Sequence, residues 1–517
     1  MNVSNVRKTV AKQVASFVES VLPADPEQWC RQFDPDRPKI IHDSLWGTFK
    51  LQPHEIALID TPLVQRLRFI HQTGAVYLTY PSALHTRFEH TLGVLYHAAR
   101  MCSILREKQG DKRFGQETEN NLRFAAILHD TGHGPFSHTS EQYFSSLKPM
   151  ADLQKHDPEY RESKNGAGEI LSSLIIESRP FRDFVTAING RFGTRIDCDF
   201  VRKIITGNSP APEMYLSEVI HGPLDADKLD YMHRDGMFSG LRMHVDLDRL
   251  YASINVVTDP TQGNMTRIGG SVAGLSPLTQ IMFNKMLLFT GIYHHHKVRT
   301  VDCMLWALFD LAIHRQKRLG GHTIGTPVDF LKLTDDQVLA PQLTNDDDMR
   351  DIIRSIRERR LWKRAVVISR CTIDKRDYDV RAKGSNKSFN DYTALQGNNR
   401  EKILERRHIG EEIWREAGRP CKRHEVWLDV PELPSMTEAA RMWIVAPYQK
   451  KPQKLGDFIP IAQWVELYGS HKWQSHVFCP SQVRDPIADA AIKVLKRRYG
   501  LHILPTAKQY AGAECTK

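Results

Sequence analysis

The segment Leu122–Pro135 contains a histidine and an aspartate, His129 and Asp130, that could bind a metal ion. Apolar residues recur three and four positions apart ahead of His129, so His129 lies on the buried stripe of a predicted helix. The neighbouring Asp130 must be paired, hydrogen-bonded or bound to a metal, because burying an unpaired charge is costly. A Gly-x-Gly-Pro helix stop follows at once and opens a cavity. This setting favours a divalent-metal site with mixed nitrogen and oxygen ligands.

Two neighbouring ligands cannot fill the coordination shell of a metal, so other helices must contribute. His90, in an Arg-Phe-Glu-His motif, stands at the start of a predicted helix. Asp227, Tyr231 and Asp235 are spaced four residues apart, which places them on one face of another helix. That face, flanked by Lys228, is suited to hold both a metal and a phosphorylated sugar.

The alternative for each of these residues is a purely structural role. A lone His-Asp dipeptide is a weak signal, since a buried histidine more often bonds to a local carbonyl group. The order His90, His129-Asp130 and Asp227 along one chain is much harder to obtain by chance. The sequence has no Gly-Lys dipeptide of a phosphate-binding loop, no His-Glu-x-x-His helix and no Gly-x-Ser-x-Gly elbow. Metal-assisted chemistry is therefore favoured over catalysis by a nucleophilic side chain.

The elements that must position these residues are mostly helices. Apolar residues recur at helical spacing in the segments 55–71, 91–105, 121–129, 168–176 and 277–293. A charged amphipathic helix is predicted over Asn345–Arg364, because it begins with aspartates and ends with basic residues, as the helix dipole favours. β-branched and aromatic runs predict strands at 426–430, 443–446 and 475–479. The predicted fold class is mainly α, with a smaller α/β lobe at the C-terminal end.

Four regions are predicted along the chain. Residues 1–36 form an N-terminal helical extension that ends in an Asp/Pro cluster, and residues 37–320 form the helical core. Residues 321–425 form a helical extension and a charged loop, because the stretch 375–399 is polar and charge-rich. Residues 426–517 form the small α/β lobe.

The composition limits the partners and the compartment. Lys plus Arg exceed Asp plus Glu by 71 to 61, which suits a chain that meets phosphates in nucleotides or nucleic acid, although a mildly basic surface explains it equally well. Eight scattered cysteines without a Cys-x-x-Cys pair indicate a reducing, cytoplasmic compartment. The first 23 residues lack a secretory signal, and the most apolar window, Gly274–Tyr293, is interrupted by polar residues. No export and no membrane partner is expected.

The motifs together resemble those of the HD-superfamily deoxynucleoside triphosphate triphosphohydrolases, most closely the vertebrate branch that joins a SAM domain to the HD domain. The resemblance covers residues 39–363 and is carried by the segments 59–68, 87–90, 129–138 and 225–235. It implies an HD-domain helical core. The 36 residues ahead of that core are too few for a SAM domain, so none is expected here.

The resemblance assigns a metal site and a substrate site to individual residues. The implied metal ligands are His90, His129, Asp130 and Asp227. The implied substrate-binding residues are Arg87, Gln72, Lys228, Tyr231 and Asp235. Within the second group, the arginine and the lysine bind phosphate, and the tyrosine and the aspartate contact the sugar.

The catalytic acid/base pair implied by the resemblance is His138 and Glu141. They stand three positions apart on a predicted helix, so the carboxylate can orient the imidazole and stabilise its charge. His133 is a further catalytic candidate, or it forms a hydrogen bond behind the metal ligands. The family has a His-Glu pair farther along, and the nearest match here is His156-Asp157 in a polar context. His156 is therefore carried over as the last catalytic candidate.

One departure from the family pattern concerns the terminal phosphates. A family arginine that binds them has no counterpart, since the corresponding helix reads Phe283-Asn-Lys-Met-Leu-Leu. Lys285 is the nearest substitute. The run Tyr293-His-His-His-Lys297 that follows either lines the substrate cleft or forms an exposed helix surface.

The resemblance implies metal-dependent hydrolysis of deoxynucleoside triphosphates to deoxynucleoside and inorganic triphosphate. The cofactor is expected to be a divalent metal ion, Mn, Mg, Fe or Zn. Two alternatives stay open. An HD-type nuclease, or a phosphohydrolase of another nucleotide, would use the same metal site. A non-catalytic protein would use the HD domain to sense nucleotides and its basic C-terminal part to bind nucleic acid.

The resemblance also implies an allosteric nucleotide site between subunits. The matching positions are Lys39, Asp60, Gln65, Arg68, Arg359 and Lys363. The aspartate can accept hydrogen bonds from a guanine edge, and the basic residues can neutralise phosphates between two chains. We therefore expect a homo-oligomer, a dimer or a tetramer, with a guanine nucleotide as activator. The alternative is that Asp60 and Arg68 form a simple salt bridge and the other basic residues are solvated.

Overall fold

The structure of the protein, a computed structural model, describes residues 3–110, 114–163, 165–379, 382, 385–386, 388–397, 399–432, 437–449 and 451–512. Most of these residues lie in helices, so the predicted mainly α fold class is confirmed. Within these ranges, no helix is both long enough and apolar enough to cross a membrane.

Two helices and a hairpin come first. Helices α1 (Val3–Val21) and α2 (Pro26–Arg31) are followed by the antiparallel strands β1 (Lys39–Asp43) and β2 (Gly47–Leu51). Valines and a phenylalanine spaced three and four residues apart cover one face of α1 and are buried. This face belongs to the main hydrophobic core.

The core is a set of packed helices. They are α3 (Pro53–Ile59), α4 (Pro62–Gln65), α5 (Arg87–Gln109), α6 (Gln116–Leu128), α7 (His138–Ser145), α8 (Lys148–His156), α9 (Pro158–Ser163), α10 (Ala167–Glu177), α11 (Arg179–Phe192), α12 (Cys198–Thr206), α13 (Met214–Ser217), α14 (Ala226–Ser239), α15 (Leu247–Ser253), α16 (Leu275–Leu288) and α17 (His296–His314). Short 3₁₀ turns lie at Arg66–Phe69, Gly74–Leu78, Ala211–Glu213 and Val272–Gly274, and a π-helical turn at Phe289–Tyr293. Helix α5 packs against both α6 and α14, which brings the three sequence motifs together.

Four of the five predicted helical segments of the core are confirmed, in α5, α6, α10 and α16. The fifth, 55–71, is wrong as a single helix, because it is split into α3, α4 and a 3₁₀ turn. Pro62 explains the break. Proline has no N–H and disfavours helical geometry in the residue before it, and Thr61 is extended here (φ −69°, ψ 148°).

Short strands complete the fold. They are β3 (Ile254–Thr258), β4 (Thr266–Ser271), β5 (Arg318–Leu319), β6 (His322–Thr323), β7 (Lys363–Ile368), β8 (Trp427–Asp429), β9 (Trp443–Val445), β10 (Gln453–Lys454) and β11 (Ser475–Cys479). Two larger sheets have the orders β10-β9-β4-β3 and β7-β11-β8, and β5 pairs with β6. The three predicted strand runs contain β8, β9 and β11 and are confirmed. Strand β9 pairs in parallel with β4, so a late segment of the chain completes a sheet of the core.

The predicted helix over Asn345–Arg364 is confirmed only in part. Helix α18 (Asp335–Val338) precedes α19 (Asp347–Arg357), which Asp346 caps. The chain leaves α19 through Arg359, whose φ of +57° is a left-handed helix ending, and enters strand β7 at Lys363. Lys363 therefore lies on a strand and not at a helix end. Further 3₁₀ turns lie at Pro327–Lys332, Pro341–Leu343, Lys375–Asp377, Arg423–Glu425 and Ser481–Val483.

A second apolar cluster involves the sheet β7-β11-β8. The last helices are α20 (Ser388–Thr393), α21 (Arg400–Glu416), α22 (Thr437–Ala440), α23 (Leu455–Phe458), α24 (Ile461–Lys472), α25 (Arg484–Tyr499) and α26 (Thr506–Gly512). Helix α21 packs on α25 and contributes Ile409 and Ile413 to the cluster, while its charged residues form ion pairs such as Glu412 with Arg498. Residues 380, 381, 383, 384, 387 and 398 of the predicted charged loop lie outside the described residues.

Candidate active site

The first turn of helix α5 carries Arg87 and His90 into the interior. Thr86 and Glu89 form a capping box, in which the Glu89 carboxylate accepts the backbone N–H of Thr86 at 2.5 Å. The helix therefore begins at Arg87. Arg87 is 1% exposed and His90 is fully buried, so one helical turn supplies a buried cation and a buried imidazole.

His129 and Asp130 stand where helix α6 ends, and both are buried, as the apolar stripe predicted. Arg66 forms hydrogen bonds with the backbone of the turn that follows them. Its Nη2 donates to the carbonyl oxygens of Thr131 (2.7 Å) and His133 (2.6 Å). The positions of the His-Asp pair and of His133 are thus fixed by a half-buried side chain outside the motif.

The loop that leads into helix α7 has an unusual backbone. Phe136 and Ser137 have φ values of +56° and +53°, which cost energy in residues other than glycine and persist only where the surroundings enforce them. Asp335 accepts the Phe136 N–H at 2.6 Å, and Ser137 Oγ accepts Arg87 Nε at 2.8 Å. These contacts set the direction in which α7 starts, and with it the position of His138.

Four side chains from three helices converge in a cluster that fits a divalent cation: His90, His129, Asp130 and Asp227. His90 Nε2 lies 3.6 Å from Asp130 Oδ2 and 3.0 Å from Asp227 Oδ1. His129 Nε2 lies 3.5 Å and 4.0 Å from the same two oxygens. Ligand atoms about 2.1 Å from a common metal ion are roughly 3 to 4 Å from one another. The spacing therefore matches a shared ion.

The orientation of both rings supports the same conclusion. His90 Nδ1 bonds to Asp230 Oδ2 at 2.8 Å, and His129 Nδ1 bonds to the carbonyl oxygen of Ala126 at 2.8 Å. Both Nε2 atoms are buried and make no hydrogen bond of acceptable geometry. Metal-binding histidines commonly use one ring nitrogen for a carboxylate or carbonyl partner and present the other to the ion.

Asp230 is a part of this cluster that the sequence reasoning missed. It is fully buried and accepts hydrogen bonds from Trp46 Nε1 (2.5 Å) and from Arg234. A β-carbon on Gly93 would lie 1.8 Å from Asp230 Oδ1, so only glycine allows α5 and α14 to approach this closely. The signal that could have found it is the spacing of three residues from Asp227 on the same helix.

The carboxylates of the cluster favour a positive charge beside them. Burial opposes a charged His90, but the carboxylates of Asp227 and Asp230 outweigh it and raise the pKa of His90 to about 10. Burial likewise opposes the charge of Asp227, but His90 and His129 lower its pKa to about 2. Arg87 and the neighbouring histidines hold the pKa of Asp130 well below its usual range against the effect of burial. The carboxylates are therefore ionised and available to a cation.

The cluster lies at the wall of a cavity of about 510 Å³, a size that suits a nucleotide. Three permanent cations line it, Arg87, Lys228 and Arg299. They face twice as many acidic residues, which are Asp130, Glu141, Glu169, Asp227, Asp235 and Asp302. An anionic substrate would therefore need a further positive charge in the cavity, which a divalent ion supplies.

The predicted acid/base residues lie together on the cavity wall. His138 Nδ1 is 2.8 Å from Glu141 Oε2, and the other Glu141 oxygen accepts the N–H of Gly168 at 2.9 Å. His133 lies between two carboxylates, 3.2 Å from Asp130 and 3.3 Å from Glu141. Burial and Arg87 oppose its charge, but these carboxylates raise the pKa of His133 to about 9. His133 thus links the metal cluster to the acid/base pair as an imidazolium.

Two buried polar atoms of residues at the cavity have no hydrogen-bond partner. Arg87 donates from Nη1 to Asp130 and from Nε to Ser137, whereas its Nη2 makes no hydrogen bond. Gln72 is 6% exposed, and its Oε1 also makes none. A buried donor or acceptor without a partner is costly, so both atoms are suited to bind a ligand.

The predicted sugar-binding residues occupy one face of helix α14, as their spacing indicated. Tyr231 and Asp235 both line the cavity. Asp235 is buried, and its two oxygens bond to His85 Nε2 (2.7 Å) and to the hydroxyl of Tyr293. The first residue of the run 293–297 thus lies at the cavity, together with His294.

Two predicted residues do not reach the cavity. His156 is exposed at the end of helix α8 and is not among the lining residues, because its segment continues into the surface helix α9. Lys285 of α16 lies 6.0 Å from the ring of Phe289 and is not a lining residue either. Two pairs that the sequence reasoning missed do line the cavity, Glu169 with His221 and Arg299 with Asp302.

The predicted allosteric residues lie outside the cavity, on the surface. Lys39 Nζ is 3.9 Å from Asp60, and both side chains are more than one-third exposed. Gln65 accepts Arg68 Nε at 2.7 Å, and the Arg68 guanidinium stacks 3.6 Å from the ring of Phe88. The alternative salt bridge between Asp60 and Arg68 is therefore not formed.

The remaining two predicted allosteric residues lie elsewhere on the surface. Arg359 donates to the carbonyl oxygen of Leu78 at 3.0 Å, and Lys363 is exposed at the start of β7.

Comparison with known proteins gives two family matches. Residues 87–206 match the HD domain, and residues 279–499 match the HD associated region. The chain is 29% identical over 357 residues to the deoxynucleoside triphosphate triphosphohydrolase SAMHD1 of Bos taurus, which covers 63% of this chain and 58% of that protein. It is 28% identical over 382 residues to the protein of the same name from Homo sapiens, covering 68% and 57%.

An uncharacterized protein of Methanocaldococcus jannaschii is 29% identical over 268 residues, covering 52% of this chain and 48% of that protein. The resemblance to HD-superfamily deoxynucleoside triphosphate triphosphohydrolases is therefore confirmed. The chain matches less than two thirds of the length of the vertebrate relatives.

The metal cluster generates a direct test. Asp130→Ala removes a predicted ligand, and we expect the purified protein to lose most of its bound metal. Asp230→Asn leaves all four ligands in place but disturbs the partner of His90, so metal affinity should fall about 10- to 100-fold. The control is Asp248→Ala, which removes an 88% exposed carboxylate. The measurement is the metal content after dialysis, by inductively coupled plasma mass spectrometry. If Asp130→Ala keeps the metal content of the wild type, the assignment of Asp130 as a ligand is contradicted.

Proposed function

We propose that this protein is a metal-dependent phosphohydrolase that converts deoxynucleoside triphosphates to deoxynucleoside and inorganic triphosphate. The observation that carries the proposal is the convergence of two imidazole Nε2 atoms and two carboxylates beside a nucleotide-sized cavity. The similarity to relatives named as deoxynucleoside triphosphate triphosphohydrolases supports this substrate class.

In this proposal His90, His129, Asp130 and Asp227 hold a divalent ion, for which Mn, Mg, Fe and Zn are the candidates. When bound, the ion activates water and screens phosphate oxygens. The unpaired Nη2 of Arg87 reaches a phosphate oxygen from the same wall. Lys228, the residue after a metal ligand, adds a second fixed cation at the cavity.

Proton transfer is assigned to His138. Release of a deoxynucleoside leaves a 5′-oxygen that must gain a proton, and an imidazole at the cavity wall can supply it. Glu141 accepts from His138 and is itself anchored by the Gly168 N–H, so the ring has a fixed orientation. His133 and His138 hold the pKa of Glu141 well below its usual range although burial opposes this, so the carboxylate stays ionised and supports the imidazolium.

Tyr231, Asp235 and Gln72 are assigned to the sugar. Tyr231 places an aromatic ring at the cavity, and a ring packed under the ribose leaves little room for a 2′-hydroxyl. Asp235, held by His85 and Tyr293, and the unpaired Oε1 of Gln72 are hydrogen-bond acceptors for a 3′-hydroxyl. Deoxyribose is therefore the preferred sugar.

Product analysis tests the substrate and the reaction together. We expect incubation with each deoxynucleoside triphosphate and Mn²⁺ to release the deoxynucleoside and inorganic triphosphate in equal amounts, and ribonucleotides to react more slowly. Chromatography of the nucleoside products and ion chromatography of the phosphates are the measurements. Diphosphate, orthophosphate or cleaved oligonucleotide as the main product would replace this proposal with another phosphohydrolase or a nuclease.

His138→Ala tests the proton-transfer role. Turnover should fall roughly 10²- to 10⁴-fold, the usual cost of losing a general acid or base, with metal content unchanged. The control is His408→Ala, because His408 and Glu412 form a similar helical pair away from the cavity. Steady-state kinetics over a range of pH is the measurement, and an unaltered pH–rate profile in His138→Ala rejects the assignment.

An oligomer that assembles around a guanine nucleotide is the second part of the proposal. Lys39, Asp60, Gln65 and Arg68 form an exposed polar surface in which Asp60 and Arg68 do not pair with each other. The exposed apolar residues Ile40 and Phe69 lie next to this surface in sequence, which suits a subunit contact. The nucleotide must bind the assembled state more tightly than the single chain.

Light scattering coupled to size-exclusion chromatography tests the assembly. We expect dGTP or GTP to raise the molar mass to that of a dimer or tetramer and to raise the rate on a second deoxynucleoside triphosphate. A pyrimidine nucleotide is the control for the mass, and Asp60→Asn should weaken the response to guanine. The same mass and the same rate with and without the guanine nucleotide contradict this part.

A further inference from the structure

A second histidine–carboxylate pair lines the cavity apart from His138 and Glu141. His221 Nδ1 lies 3.3 Å from Glu169 Oε1, and about 30% of each side chain is exposed. Glu169 belongs to the first turn of α10, and His221 to the turn that precedes α14. The reaction proposed above assigns no role to Glu169 or His221.

The pair is held in place from both sides. Glu169 Oε2 accepts the N–H of Gly166 at 2.9 Å and Asn165 Nδ2 at 3.1 Å, which leaves Oε1 for the imidazole. The imidazole packs against Gly207, where a β-carbon would lie 2.7 Å from His221 Cδ2. Among the described residues, no group forms a hydrogen bond with His221 Nε2. Because His221 lines the cavity and its Nδ1 faces Glu169, Nε2 is the ring nitrogen left for a ligand.

His221 carries a positive charge at neutral pH. Burial opposes that charge, but Glu169 outweighs it and raises the pKa of His221 to about 9. Lys228 opposes the charge and Asp225 supports it, and these are the charged groups that act on the ring from α14 and its cap. His221 in turn lowers the pKa of Glu169, although burial opposes this. The pair is thus an imidazolium held by a carboxylate.

His221 is connected to the metal cluster through Lys228, and all three line the same cavity. Lys228 follows Asp227 in the chain, and its ammonium group donates to the carbonyl oxygen of Gly222 at 2.7 Å and to Asp225 Oδ2 at 2.6 Å. Gly222 is the residue after His221. A continuous wall therefore runs from the metal ligand through Lys228 to His221, with a cation at each of the last two positions.

Of the other permanent cations at the cavity, Arg87 lies beside the metal cluster and keeps only Nη2 unpaired, and Arg299 is ion-paired. Arg299 forms ion pairs with Asp302 (3.0 Å) and Asp429 (2.7 Å), and Lys285 of α16 does not line the cavity. A chain of several phosphates that starts at the metal cluster and passes Lys228 meets His221 as the next positive group. We propose that His221, oriented by Glu169, binds the distal phosphates of a polyphosphate ligand through Nε2–H.

This inference rests on the proposed function for the identity of the substrate, but it is tested by binding alone. The probe is inorganic tripolyphosphate, titrated into the full-length protein by calorimetry with excess Mn²⁺. His221→Ala should weaken binding roughly 10-fold or more, as expected for loss of a charge-assisted hydrogen bond. His221→Lys should restore most of the affinity because it keeps the charge, and His221→Gln should not. His408→Ala is the matched control and should bind as the wild type does.

Two further measurements separate a phosphate contact from a structural role. Wild-type affinity for tripolyphosphate should fall as the pH rises through 9, because His221 loses its proton there, and His221→Lys should lose less affinity over this range. His133, which also lines the cavity and has a pKa of about 9, loses its proton in both proteins. Binding of a deoxynucleoside monophosphate, which has no distal phosphate, should be the same in wild type and His221→Ala. If one of the three His221 variants does not fold, as judged by circular dichroism, the affinities of the other two are compared with that of the wild type.

The outcomes distinguish this inference from the proposed function. If the wild type binds tripolyphosphate through His221 but hydrolyses no deoxynucleoside triphosphate, the proposed reaction fails and the phosphate site stands. If deoxynucleoside triphosphates are hydrolysed but tripolyphosphate affinity and KM stay within twofold in all three variants, the phosphate site is wrong. A loss of kcat with unchanged KM and unchanged tripolyphosphate affinity would also overturn it, because it assigns His221 to proton transfer.

Discussion

The cost of burying several carboxylates beside two imidazoles is the constraint on which the rest of this structure depends. Asp130 and Asp230 are buried, the partly exposed Asp227 lies beside them, and a buried charge costs several kcal/mol unless it is compensated. Arg87 and Arg234 neutralise two of the three. A single protonated histidine would balance the third, but it would leave the other buried ring nitrogen without a partner. A divalent cation satisfies the remaining charge and both ring nitrogens at once, which is why the cluster fits a metal better than an ion-pair network.

This constraint reaches the N-terminal hairpin through the partners of Asp230. Arg234 bonds to Asp230 and lies 3.0 Å from Asp43 at the end of β1, while Trp46 in the hairpin turn donates to the same carboxylate. The hairpin therefore closes the outer side of the metal cluster. Its contacts fix the carboxylate that orients His90, so residues far from the cavity determine where the Nε2 atom of His90 points.

Local signals in the sequence predicted the elements that carry the site, and contacts between distant segments explain what was missed. Helical periodicity placed His129 at the buried end of α6, and a four-residue spacing placed Tyr231 and Asp235 on one face of α14. No local pattern distinguishes Glu169 and His221 from ordinary polar residues, because their pairing exists only after α10 and the turn before α14 pack together. The structure places His156 away from the cavity for the converse reason: a dipeptide that resembles a family motif lies on an exposed helix end.

The segment that the sequence predicted as a small C-terminal α/β lobe contacts a residue of the cavity wall. Asp429 of β8 is 1% exposed and binds the guanidinium of Arg299, which lines the cavity and also pairs with Asp302. The second oxygen of Asp302 accepts the hydroxyl of Thr139 at 2.7 Å, and Thr139 follows His138 in helix α7. Without Asp429, Arg299 would keep a buried charge with only one partner, and the anchor of Thr139 would shift with it. Strand β8 thus helps to hold the helix that carries the proposed proton donor, through the contacts from Asp429 to Arg299, Asp302 and Thr139. These residues are far apart in the sequence, so no helical or strand periodicity predicts the contacts between them.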